Sequence, residues 1–185
     1  MMLPNFEPLL KPCEPWLLVV NMSDSDLTDR LWALTRITSP GIAVRFLRGK
    51  NMRNSEGLYN EFAAAMQFPY YFGYNGPAFD ECMTDLEWLE ATGYIIAIIE
   101  SQEVLANEQD GELDLFLDSL RRICQHWSKP VTDGQPWDRP AKPFHVLFGC
   151  SIENSRRLPV QVRSLPRIAE EGTERKTKGS GFFLS

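Results

Sequence analysis

Tyr94-Ile95-Ile96-Ala97-Ile98-Ile99 is the strongest strand signal in the chain, a β-favouring run with no polar/apolar alternation. Such a run fits a strand buried on both faces, as in a parallel sheet covered by helices. Working outward, Trp16 to Val20, Ile42 to Leu47 and Phe144 to Phe148 are shorter apolar runs of the same kind. Helical patterns lie between them. Ser23-Asp24-Ser25-Asp26 supplies N-cap chemistry ahead of a stripe of Leu27, Leu31, Trp32 and Leu34. Asn54 or Ser55 caps a second helix running to about Gln67, with Leu58, Phe62, Ala65 and Met66 inward. A third pattern runs from Glu112 to about Trp127, with Leu113, Phe116, Leu117, Leu120, Ile123, Cys124 and Trp127 at helical spacing. Strands alternating with helices predict an α/β layer on a mainly parallel sheet of about four strands, joined by right-handed crossovers.

The remaining segments read as connections. Met1 to Glu14 is a proline-punctuated lead-in, Ser39-Pro40-Gly41 ends the first strand-helix unit, and Arg48-Gly49-Lys50 is a turn. Gln102 to Glu108 fits one helical turn, and the Pro-rich stretch from Lys129 to Pro143 is a long loop.

At 185 residues the chain suits one ample core rather than two domains. No apolar run reaches the length of a membrane span, and nothing at the N-terminus reads as a secretion signal, so cytoplasmic residence is expected. Cys13, Cys82, Cys124 and Cys150 are widely spaced in apolar patterns, which predicts free, buried thiols without a metal site or disulfide framework. The net charge of −6 is unevenly spread: Asn54 to Leu120 carries fourteen acids and no Lys, Arg or His. A field of one sign argues against nucleic acid, whose phosphates require cations, and for a basic protein as partner.

Phe68 to Trp88, FPYYFGYNGPAFDECMTDLEW, is the candidate binding stretch. An aromatic loop ends at Asn75, and Gly76-Pro77 fits a helix opening because proline suits the first turn. The helix is expected to run until Gly93 stops it. Phe79, Cys82, Met83, Leu86 and Leu89 fall on one face, and Pro77, Glu81, Thr84 and Trp88 on the other. Broad amphipathic rings beside directed charges have the composition of a protein-binding patch, although rings of this loop also suit folding back onto the core.

No chemistry assembles from the remaining residues. His145 lies inside an apolar strand and His126 beside Trp127 in a helix. Asp80 and Glu81 are adjacent on a helix and point apart, which disqualifies them as an acid/base pair. Gly-rich phosphate loops, nucleophile elbows and calcium loops are missing, so the chain reads as a binder without cofactor or metal, and not as an enzyme.

The run Phe68-Pro69-x-Tyr71-Phe72-Gly73-x-Asn75, then Ala78-Phe79-x-x-Cys82-Met83-Thr84 and an acidic Trp-containing helix, resembles the barstar family, intracellular inhibitors of a bacterial secreted ribonuclease. The resemblance covers about Ile42 to Phe148 and implies a small α/β fold with a three-stranded parallel sheet. The Trp16 to Thr38 unit would extend it by a strand and a helix, giving one barstar-like domain over residues 1–150 and a basic, partly disordered tail over 151–185. The resemblance implies an immunity protein that plugs a toxin's active site. Tyr71, Gly73 and Asn75 would present the loop edge, Glu81 would replace the family's anchoring aspartate, and Asp80, Thr84, Asp85 and Trp88 would complete the face. Three positions depart from the family: Pro77 replaces a contacting aspartate, Asp80 a tryptophan, and a basic residue near Arg122 a glutamate. The target therefore stays open among a ribonuclease, a toxin of another class and, for an adaptor module, a basic cellular protein.

Overall fold

The computed structural model describes residues 5–37 and 41–168. The main elements are β1 (Leu17–Asn21), α1 (Asp24–Ile37), β2 (Ile42–Arg48), α2 (Ser55–Met66), α3 (Gly76–Asp85), β3 (Gly93–Ile99), α4 (Glu112–Trp127), β4 (Phe144–Cys150) and α5 (Val160–Arg163). All strand pairs are parallel, in the order β1-β4-β3-β2, so the fold is the mixed α/β layer expected.

β3 sits between two partners, with Ile96 opposite both Arg45 and Val146. Its alternate residues enter different cores. Ile95 and Ala97 join Leu27, Leu31 and Leu34 of α1, while Tyr94, Ile96 and Ile98 join Phe62 of α2, Phe79 of α3 and Leu120 of α4. Helices on both faces explain why the strand shows no polar period. α1 departs from the expected stripe at Trp32, which is 52% exposed and rests its ring 6.0 Å from that of Phe46. One residue beyond Leu31 is a rotation of about 100°, enough to carry it off the buried stripe.

The N-terminal segment does more than lead in. Phe6 and Leu9 are buried in the α1-side core around a short 3-10 turn, Glu7–Leu10. It is pinned by His145, whose Nε2 lies 2.9 Å from the Lys11 carbonyl oxygen and Nδ1 3.2 Å from that of Pro15. Burial depresses the pKa of His145, against the raising effect of those two carbonyls. His126 is depressed too, by desolvation and then by Arg139. A depressed histidine binds protons less readily folded than unfolded, so stability is complete above about pH 6.5 and falls as pH drops below it. We expect the unfolding free energy from urea titrations to decline between about pH 6.5 and 5, by up to roughly 1.4 kcal/mol per pH unit from buried His145, with exposed His126 adding much less because water screens it. His145→Gln should flatten that slope, and an unchanged slope would exclude His145 as a source.

The connector from Lys129 to Pro143 is a loop, fastened by Arg139. Its guanidinium stands 4.2 Å over the Trp127 ring and donates to the carbonyls of Lys129 (3.0 Å) and His126 (3.2 Å), which satisfies acceptors at the end of α4. Within the segment expected as a basic tail, residues 151–168 return to the sheet. Leu158, Val162 and Leu165 are buried in the larger core, and Arg157 pairs with Glu103 at 3.0 Å. Lys176 to Gly181, and Thr38, Ser39 and Pro40 of the expected break after α1, lie outside the described residues. Cys82, Cys124 and Cys150 are buried free thiols, but Cys13 is exposed, because it follows the anchored turn rather than contributing to it.

Candidate functional site

Asn75 builds the junction between the aromatic loop and α3. Its Oδ1 accepts from the Ala78 N–H at 3.0 Å, capping the helix, while its Nδ2 donates to the Gly73 carbonyl at 3.0 Å and draws the loop back over the cap. The loop rings then divide by polarity. Phe72 is buried and Phe68 half-buried against it, whereas Tyr70 is fully exposed, Tyr71 62% and Tyr74 56% exposed. The phenylalanines anchor the loop and the tyrosines face outward.

α3 ends earlier than expected. Leu86 adopts a left-handed conformation with φ of 50°, and its N–H bonds to the Cys82 carbonyl, so the helix stops at Asp85 and Gly93 opens β3 instead. Leu86 holds this uncommon backbone because its side chain is almost fully buried. Trp88 consequently lies past the helix and not on its polar side. It is half-buried, donates its Nε1–H to the Met66 carbonyl at 2.9 Å and meets Phe68 edge-on at 6.3 Å. Leu89, expected on the buried helix face, is also beyond the helix and half-buried.

On the outward side of α3, Glu81 and Asp85 stand one turn apart and exposed, with exposed Glu87 just beyond. Among the described residues, none of the three makes an ion pair with Lys or Arg. The Tyr71 hydroxyl is held above the ordinary phenol range, by desolvation and then by Asp85, Cys82, Glu87 and Glu81. Thr84 turns its hydroxyl back to the Asp80 and Glu81 carbonyls, at 2.8 and 3.1 Å.

Asp80 points the other way, toward α4, where it accepts from Ser119 Oγ and, at 2.9 Å, from Arg122 Nη2. Next to this pair, α2, α3 and α4 enclose a groove of about 470 Å³, whose lining includes Leu58, Tyr59, Phe79, Leu115, Phe116 and Arg122. Sequence reasoning missed the groove, since three helices make it. Its one visible trace is Leu115, 65% exposed on α4.

Thus Tyr71, Gly73, Asn75, Glu81 and Asp85 share an accessible face, with Thr84 and Trp88 half-buried behind it and Asp80 on the α4 flank. Among the described residues no His, Cys, Asp and Glu cluster suits a metal ion, and no helix is long and apolar enough to cross a membrane. A tyrosine-fringed row of unpaired carboxylates on an α/β scaffold is complementary in charge to a basic surface. Residues 42–149 match the family described as Barstar (barnase inhibitor). That span is more than half of the chain, and the chain belongs to the barstar family, whose members are inhibitors rather than enzymes. Comparison with curated proteins gave no match. The matched span runs from the start of β2 almost to the end of β4, so outside it β1 adds a strand to the sheet and α1 covers one face.

Proposed function

We propose that this protein is a cytoplasmic inhibitor of a basic toxin enzyme, a ribonuclease in keeping with the family's description, and that it occludes the enzyme's active site. The observation that carries the reading is the set of unpaired carboxylates, Glu81, Asp85 and Glu87, behind the exposed Tyr71 and Tyr74. An enzyme that holds RNA must be cationic where the phosphates lie, and such a surface complements this face. Glu81 is the anchor that enters the cationic site. Gly73 and Asn75 supply loop backbone and a fixed cap, Tyr71 the broad contact, and Asp85 a second charge. Thr84 and Trp88 hold the rim from within, Trp88 through Met66 and Phe68. Free thiols accord with a reducing compartment.

Inhibition of barnase by the full chain, with RNA as substrate at low salt, tests the proposal. Glu81→Lys is expected to weaken inhibition by at least 100-fold, since it places like charge against like at the centre of the contact. Raising the salt should weaken the unaltered protein in the same direction. Undiminished inhibition by Glu81→Lys would show that another surface does the binding.

A further inference from the structure

Resting on that reading, we infer that Arg122 selects among basic partners: it repels cations from the α3–α4 seam, so that a partner must direct its positive charge at the outer side of α3 instead. Arg122 lies on α4 at the mouth of the groove between α2, α3 and α4, and its side chain is 62% exposed. One guanidinium nitrogen donates to Asp80 at 2.9 Å, and Asp80 also takes the Ser119 hydroxyl. The pair has no net charge. Asp80, 36% exposed, is thereby partnered within the chain, and the more exposed guanidinium stands beside it toward a partner. Arg121, the neighbouring cation on α4, is tied to Asp118 at 2.6 Å.

The binding face is therefore divided. Glu81, Asp85 and Glu87 on one side are unpaired and negative, whereas at the seam Asp80 is neutralised by Arg122, the more exposed member of the pair, and Glu112 is the other acid lining the groove. Charge complementarity steers association and suppresses wrong partners, because like charges brought together at an interface are costly. A basic enzyme whose cations extend across both halves is attracted by one and penalised by the other. One whose cations are confined to the α3 side, with an apolar or acidic group over the seam, meets no penalty. Specificity then arises from a repulsive element beside the attractive one.

The experiment uses the full chain and barnase as a broadly cationic probe, with binding measured by calorimetry at low and moderate salt. Arg122→Glu is expected to bind at least about tenfold tighter than the unaltered protein at low salt, with the gain shrinking as salt rises. Arg122→Gln, which keeps a donor for Asp80, should fall between them. Arg36→Glu makes the same change in net charge from an exposed position on α1, across the sheet, and should alter affinity less than threefold. Appearance of binding only in Arg122→Glu is the same result in its strongest form, and Glu81→Lys is then placed in the Arg122→Glu background, where loss of binding is expected. The inference is overturned if Arg122→Glu binds no tighter than Arg36→Glu, including the case in which no variant binds. Glu81→Lys in parallel separates the two readings. Its loss of binding alongside equal affinities for Arg122→Glu and the unaltered protein would remove only the role of Arg122, whereas retained binding by Glu81→Lys would remove the face itself.

Discussion

Gly49→Ala should cost about 3 kcal/mol of stability, the upper end of the usual range for overpacking, because the added methyl meets backbone rather than a yielding side chain. Gly49 follows β2 directly, and a Cβ there would stand 2.2 Å from the Glu100 carbonyl oxygen and 3.0 Å from that of Ile99. Glu100 is itself in a left-handed conformation, φ 52°, as the chain turns out of β3, and its carboxylate lies 3.5 Å from Lys50. Two adjacent strands thus exit with their backbones in contact, and only a residue without a side chain fits. Relief requires parting the ends of β2 and β3. Thermal unfolding should shift down by roughly 6–12 °C for a chain of this size. By contrast, a Cβ on Gly73 would first meet the Asn75 side-chain amide at 2.9 Å, so Gly73→Ala displaces a capping side chain rather than backbone and should cost about 1 kcal/mol, the usual worth of a helix cap. Equal losses for the two variants would contradict the distinction.

The parts of the fold legible in the sequence are those where burial leaves a periodic mark. β3 had to lie between helical layers because six successive residues offered no face to water, and α4 repeated its apolar residues over four turns. Asn54, or Ser55 beside it, announced α2 because an amide placed before a helix accepts a free N–H, and Gly76-Pro77 announced α3, whose cap proved to be Asn75. The end of α3 left no such mark. Leu86 occupies an apolar helical position and stops the helix through its burial, where a glycine would have announced the stop. Trp88 was misplaced for the same reason.

The electrostatics of the site were half legible. Acid clustering was visible in the composition, but Asp80 and Arg122 lie 42 residues apart and meet only because α3 packs beside α4. The resemblance puts expected departures from the family at Asp80 and at a basic residue near Arg122, and the structure joins Asp80 and Arg122 in one ion pair. The N-terminal turn and residues 158–165 were missed as core because their buried side chains are scattered among prolines and polar residues, without a period.

The loop, α2, α3 and α4 converge on one ring, and Phe79→Ala is expected to lower stability by about 3–5 kcal/mol, the range for removing a fully buried aromatic side chain. Phe79 is 2% exposed. Its centroid lies 5.0 Å from Phe62, met edge-on, 6.0 Å from Tyr59, and 6.2 Å from both Phe68 and Phe116. Aromatic contacts of this kind contribute beyond their buried area. The substitution should also weaken partner binding, although Phe79 reaches no surface, because Phe68 braces both Phe72 and Trp88 beneath the outward tyrosines. Phe79→Leu retains most of the volume and should cost less than about 1.5 kcal/mol while keeping binding near the unaltered level. Denaturant unfolding gives the first quantity and inhibition of barnase the second, measured well below the unfolding midpoint so that the native fraction is the same for every variant. A loss under 1 kcal/mol for Phe79→Ala would mean that the loop and the three helices hold together without this ring. Full binding by a destabilised Phe79→Ala would mean that the tyrosines keep their places without support from the core, and that the binding face depends on Asn75 and its cap alone.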